Sequence, residues 1–359
     1  MNRRFFIDWQ LLFPVFILIG FSLTILTSIS PQLAVSQLIF SIIGLLLFFL
    51  VSNLHYQIHS YLYIPYMVIT LAFLFLPIIF GAVTRGSVRW IQIGNFTLQS
   101  SEFIKPLLII IFSAFLSQKN KFSSLKKLAL YLVIFFIPAL LIFKQPDLGS
   151  TLVVLAIWTA ILFVSDIPLF YLFSLFIITA ISSPIIWKFL ADYQKQRLII
   201  FLNPYTDPKG AGYHVLQSII AVGSGGIFGR GLGSGIQSQL RFLPENHTDF
   251  IFASLTEELG LITAFFILAV FFFLLKRLLD ISRTAPDKFS QLLTIGVFAM
   301  IFFQAIVNIG MNLGILPITG ITLPLVSYGG SSMLATMISL GLVSNFSSQP
   351  IHKKILEIK

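Results

Sequence analysis

Ten apolar runs, each able to cross about 30 Å of hydrocarbon, lie near residues 9–29, 33–52, 61–80, 101–117, 128–143, 148–164, 167–190, 249–275, 289–313 and 330–347. In lipid the backbone of such runs satisfies its hydrogen bonds by coiling into helices. Of the 359 residues, 57% are hydrophobic and 10% charged, against about 25% charged in an ordinary soluble domain. The chain therefore reads as an all-α polytopic membrane protein with about ten transmembrane helices. Residues 1–359 form a single domain without internal repeats. The first run follows MNRRFF but lacks a small-residue cleavage site, so it reads as a retained helix and not as a signal peptide. Cysteine is absent, which removes disulfides and thiolate metal sites from consideration.

Sidedness follows from the basic residues. With Arg3 and Arg4 in the cytoplasm, the inner segments also hold Lys119, Lys121, Lys126, Lys127, Lys276, Arg277, Arg283, Lys288, Lys353, Lys354 and Lys359, which together with the two arginines make 13 of the 23 Lys and Arg. Both termini are then cytoplasmic. Arg85, Arg89, Lys105, Lys144, Lys188, Lys195, Arg197, Lys209, Arg230 and Arg241 fall outside. An anionic ligand bound there would account for them; loop solubility is the plainer alternative. Two outer segments are longer than connectors: residues 81–100, and the large loop 191–248 between the seventh and eighth helices. Trp9, Trp90 and Trp187 are expected at membrane interfaces.

Charges at membrane depth are costly unless they face a cavity or a partner. Glu102 and Lys105, three residues apart, share one helix face. Lys144 and Asp147 flank Pro146 in the outer corner KQPDLGS. In LPENHTDFIFASLTEELG (243–260), Asn246 and Asp249 resemble a capping arrangement, which puts Asp249 in the first turn of the eighth helix. On that helix Glu257 projects within about 80° of Asp249 and lies about 12 Å deeper, facing a cavity, while Glu258 points to the opposite side. A helix-dipole role is the plainer reading of Asp249, and His247 reads as a solvated or hydrogen-bonded loop residue. Gln304, Asn308 and Asn312 form an amide stripe that reads as interhelical glue. The stretch GSGGIFGRGLGSG (223–235) could cradle an anion with Arg230 or lie along the membrane. It matches neither nucleotide-binding glycine motif, and nothing calls for nucleic acid.

Five blocks resemble the SEDS family (shape, elongation, division and sporulation) of multi-spanning peptidoglycan glycosyltransferases. They are RWIQIG with SEFIK (89–105), KQPDLGST (144–151), YQKQRLIIFLNPYTDPKGAGYHVLQSIIAVGSGGIFGRG (193–231), LPENHTDFIFASLTEELG (243–260) and PITGITLPLVSYGGSS (317–332). Ser100, Pro106 and Thr322 depart from the usual family residues but leave the charged positions intact. The short tails favour the RodA-like branch over the division branch.

The resemblance implies ten spans, cytoplasmic termini and polymerisation of lipid II at the outer face of the bacterial cytoplasmic membrane, for elongation and shape. A lipid II flippase is the rival. Asp249 matches the family's catalytic aspartate and would act as the general base of an inverting transfer. Arg89, Lys105 and Arg197, then Lys144 and Lys209, would bind the pyrophosphate. Lys105 and Asp147 match positions that matter in the family; Asp147 would orient a base or lysine, or hold a divalent cation such as Mg2+ or Mn2+. Glu102, Glu257 and Glu258 are supporting candidates. The resemblance also implies membrane lipid and a class B penicillin-binding protein as partners.

Overall fold

A computed structural model describes residues 8–80, 82–84, 87–93, 96–118, 123–207 and 210–347. Arg3, Arg4, Arg85, Lys119, Lys121, Lys209, Lys353, Lys354 and Lys359 lie outside the described residues. The chain begins with α1 (Trp9–Ile29), α2 (Pro31–Asn53), α3 (Tyr56–Tyr61) and α4 (Tyr63–Phe80), followed by β1 (Ala82–Thr84), β2 (Ser87–Ile93) and β3 (Phe96–Gln99). Next come α5 (Ser100–Ser117), α6 (Ser124–Lys144), α7 (Leu148–Val164), α8 (Leu169–Phe189), α9 (Asp192–Leu202), α10 (Ala211–Ser224) and α11 (Ile236–Gln239). The order closes with α12 (Ile251–Arg283), α13 (Lys288–Asn312) and α14 (Gly330–Ser347).

Among the described residues, the long helices α1, α2, α4 to α8 and α12 to α14 coincide with the apolar runs. Six of them are long and apolar enough to cross a membrane, and α4, α7 and α8 contain shorter apolar helices. Their starts are written locally. Asp8 accepts from the Leu11 N–H, Asp147 from Ser150 and Asp287 from Ser290, so each carboxylate caps a helix that would otherwise begin with an orphan donor. The outer segment expected to be more than a connector holds an antiparallel sheet in the order β1–β2–β3, with Trp90 opposite Gln99 and Ile91 opposite Leu98. Valine, isoleucine and aromatic side chains suit that pleated surface.

Helices α5 and α13 form the centre, 83% and 78% buried over their apolar windows, whereas α2 is 28% buried and faces lipid. Helix α13 packs on α12, α7 and α5, and α2 runs along α14. Near α5, Tyr131 and Trp158 stack with ring centroids 5.1 Å apart and exchange hydrogen bonds from hydroxyl and indole N–H to each other's carbonyls.

Polar contacts between turns sort into two ends. Arg277 pairs with Asp8 at 2.7 Å, Lys288 with Asp166 at 2.9 Å, and the Asn345 amide donates to the Ser52 and Leu54 carbonyls, all at the end that the basic residues assign to the cytoplasm. At the opposite end Gln99 reaches Asp147, and Arg197 reaches the Ile318 carbonyl.

Helix α12 is broken. Gly260 has φ 83° and ψ 174°, a region essentially closed to side-chain-bearing residues. The glycine-rich loop fills the break: the Arg230 and Gly231 N–H groups donate to the Glu257 and Glu258 carbonyls, while the Gly226 and Ile227 carbonyls accept from Leu261 and Ile262. The interrupted helix thus keeps its backbone groups satisfied by protein. From Ile251 to Glu258 every residue is buried, whereas Ile262, Phe265, Phe266, Phe272 and Phe273 are exposed. From Leu261 to Arg283 alone the helix covers roughly 34 Å, enough to cross the bilayer.

Candidate active site at the outer end of the bundle

Asp249 does not lie in the first helical turn; α12 starts at Ile251, and residues 244–250 form turns before it. The reason is competition for backbone donors: the Thr248 and Phe250 N–H groups both donate to the Glu245 carbonyl, so the chain closes a tight loop before the helix begins. Asp249 is half-buried. The segment 318–321 lies against it, so close that a Cβ on Gly320 would stand 3.8 Å from Asp249 Oδ2. Arg197 on α9 donates to the Ile318 carbonyl at 3.2 Å, which anchors a guanidinium to the segment flanking Asp249.

The same segment leads to the second carboxylate. The Thr319 carbonyl packs on Gly149, two residues beyond Asp147. Asp147 is buried and receives three donors: the Ser150 N–H at 3.0 Å, the Gln99 amide at 2.8 Å and the Ser101 hydroxyl at 2.7 Å. Donors aimed at both oxygens suit an anion and oppose a cation. No group of three or more acidic, His or Cys residues stands together among the described residues. The Asp147 surroundings therefore do not fit the divalent ion, and Asp147 instead ties the start of α5 to the start of α7.

One turn into α5, the Lys105 ammonium meets Glu102 Oε1 at 2.5 Å, with the lysine 1% exposed. Glu102 Oε2 has no hydrogen-bond partner. A cavity of about 210 Å³ touches α5 at Phe103 and is lined besides by Ile39, Phe40 and Ile43 of α2, Thr97 and Leu98 of β3, and Ser331 and Leu334 of α14. Lys144 is exposed at the end of α6. Arg89 lies on β2; its side chain, like Lys209, lies outside the described residues.

Glu257 and Glu258 belong to a different cluster. Glu257, expected to face a cavity, is fully buried and accepts from the Gln237 and Ser238 N–H groups at 2.8 and 3.0 Å, capping α11. Glu258 accepts from the Ser28 hydroxyl, the Gly233 N–H and the Gln239 amide. Counting around an ideal helix separated the two acids by direction, but both reach one loop, because Ser238 donates to each. The Gly233 N–H also donates to Ser28. With the N–H groups of Gly229, Arg230, Gly231, Gly233 and Ser234 given to protein acceptors, this glycine-rich stretch serves as packing for the broken helix. Replacing Glu257 with Gln turns an amide toward the α11 donors. The expected cost is about 1–3 kcal/mol for the exposed mismatch, read as a lower unfolding temperature in detergent; an unchanged temperature would contradict the capping role.

His214 of α10 lies against the Phe250 ring, 6.5 Å between centroids, beside Asp249. Burial pushes its imidazole below the usual histidine value, with Glu245 and Asp207 pulling weakly the other way. The fold thus prefers the neutral ring. That preference contributes fully above about pH 6.5 and is lost as pH falls through the lower folded-state value. Thermal unfolding scans should show a smaller acid-side decline for His214→Gln than for the unmodified chain; equal declines would exclude this histidine as their source.

An apolar helical bundle with a rigid polar loop cluster gathered at one end, around a half-buried carboxylate, defines a multi-pass membrane protein that works at a membrane surface. A family model described as cell cycle protein, covering FtsW, RodA and SpoVE, matches residues 3–351, and the chain belongs to that family. It is 41% identical over 294 residues to peptidoglycan glycosyltransferase MrdB of Escherichia coli K12, covering 81% of this chain and 79% of that protein. Its fold matches a chain from a peptidoglycan synthase complex solved to study coordination of polymerization and crosslinking, with TM-score 0.82, 30% identity and coverage of 96% and 98%. The rod shape determining protein RodA of Thermus thermophilus is similar at TM-score 0.73 and 27% identity, with the same coverage.

Proposed function

We propose that this chain is a peptidoglycan glycosyltransferase of the bacterial cytoplasmic membrane, polymerising lipid II at the outer face. The observation that carries the reading is Asp249: a half-buried carboxylate in a backbone-fixed loop at the outer end of a membrane bundle, beside Gly320 and the Arg197-anchored segment. The acceptor's sugar 4-hydroxyl attacks the anomeric carbon of the donor with inversion. A carbon–oxygen bond forms to the acceptor, the bond to undecaprenyl pyrophosphate breaks, and Asp249 takes the hydroxyl proton. Lys105 and Arg197 meet the charge that develops on the leaving pyrophosphate, with Arg89, Lys144 and Lys209 as further basic candidates. The apolar cavity between α2, β3, α14 and Phe103 of α5 would suit part of a lipid tail while the headgroup stays at the rim. The complex formed by the structural relative supports a class B penicillin-binding protein as partner, and the likeness to the rod shape determining protein of Thermus thermophilus supports service to cell shape.

The test is reconstitution: the purified chain with its partner transpeptidase and lipid II is expected to yield glycan strands. Lipid translocation without polymer in a flipping assay would overturn the reading in favour of a transporter. Depletion in cells is expected to round them; filaments would assign the chain to division instead.

A further inference from the structure

The amide stripe on α13 reaches one peptide group. Asn308 Nδ2 and Asn312 Nδ2 both donate to the Asp249 carbonyl, at 3.0 and 2.9 Å. Asn308 also donates to the Ile321 carbonyl at 2.8 Å, next to the Gly320 that flanks the Asp249 carboxylate. Asn312 also donates to the Asn308 carbonyl at 2.7 Å, and its Oδ1 accepts the Ala253 N–H, an otherwise unfilled donor in the first turn of α12, at 2.9 Å. Both asparagines are fully buried.

Interhelical glue would be satisfied by bonds anywhere along the facing helix, and a buried amide must find some partner. These amides instead fill the acceptor positions of the peptide carbonyl that Asp249 itself carries. The two preceding carbonyls are fixed as well: Ser327 Oγ donates to Thr248 at 2.6 Å and the Tyr328 N–H donates to His247 at 2.9 Å. Three consecutive carbonyls of the Asp249 loop are thereby tied to two other segments of the chain. Displacement of a reacting group by about 1 Å costs on the order of 10²-fold in rate, so a base on a loop needs this kind of restraint.

We infer that Asn308 and Asn312 are positioning residues for Asp249, holding its backbone so that the carboxylate meets the acceptor hydroxyl in reacting geometry. The inference rests on the proposed role of Asp249 as base. Asn308→Ala and Asn312→Ala remove the donors. Each is expected to lower kcat for lipid II polymerisation roughly 10- to 100-fold per folded molecule, with KM changed less than about threefold. Asn308→His returns an N–H near the same place and recovers part of kcat. Gln304→Leu, one turn along the same stripe and with no bond to Asp249, keeps the unmodified kcat. In an Asp249→Asn background, the residual rate is the same with and without Asn308→Ala.

Wild-type kcat in both alanine variants, with Asp249→Asn inactive, overturns the positioning role and leaves the base intact. A fully active Asp249→Asn overturns the base and with it this inference. If an alanine variant does not accumulate, the Asn308→His and Asn312→Ser proteins take its place, and kcat that merely follows unfolding temperature in them, with no KM-against-kcat split, also overturns the inference.

Discussion

Asp249→Asn is expected to lower the rate of lipid II polymerisation by about 10² to 10⁴, the range a general base supplies, while leaving the protein folded. Folding survives because Asn308 and Asn312 hold the Asp249 carbonyl, which the substitution does not touch. Asparagine keeps the shape and loses the ability to accept the hydroxyl proton. Glycan strand length and rate on gels, read beside the unfolding temperature, separate the two effects. A variant that polymerises at the unmodified rate removes Asp249 from the chemistry. A variant that loses both rate and folding returns the carboxylate to a structural role.

Gly260→Ala is expected to have the largest effect on stability. Its Cβ would stand 2.4 Å from the Gly229 nitrogen and from the Ile227 carbonyl oxygen, and both are backbone atoms that cannot swing aside. Its φ of 83° adds a backbone penalty of about 1–3 kcal/mol before any clash is counted. The substitution should separate the loop from the break, exposing the Glu257 and Glu258 carbonyls that Arg230 and Gly231 now satisfy. The expected result is little monodisperse protein in detergent and a strongly lowered unfolding temperature. A Gly260→Ala protein that unfolds with the unmodified chain would mean that α12 can run straight through this position.

The spanning helices were legible because lipid imposes a length and a polarity on each segment separately. α1 begins at Trp9 and α7 ends at Val164, where the apolar runs begin and end. Asp249, Asp147, Glu102 and Lys105 were legible as charges at the outer rim, and the Glu102–Lys105 pair follows from their spacing of three. What failed to show in the sequence depended on partners far along the chain. The start of α12 was misplaced because the Thr248 and Phe250 N–H groups turn back to Glu245 instead of opening the helix. The direction of Glu257 did not show because the N–H groups it caps, on Gln237 and Ser238, lie about twenty residues upstream; nor does a lone glycine inside an apolar stretch announce the break at Gly260. The asparagine stripe suggested contact between helices but not its target, since a backbone carbonyl leaves no residue-type signature. The small sheet did not show because strands of 3, 7 and 4 residues are too short to set up a pattern of their own beside membrane-length runs.

The break at Gly260 divides one continuous stretch of chain into an anchor and a tool. Below it, a lipid-facing position such as Phe265 or Phe272 has only to be soluble in oil, and many apolar residues meet that demand. Above it, Ile251 to Glu258 are enclosed by other parts of the chain, and each has to match a particular neighbour. Tilting or thinning of the surrounding bilayer acts on the anchor, while the Asp249 loop takes its position from α13 and the segment after it. The membrane can therefore vary from one site in the cell to another without carrying the carboxylate along with it.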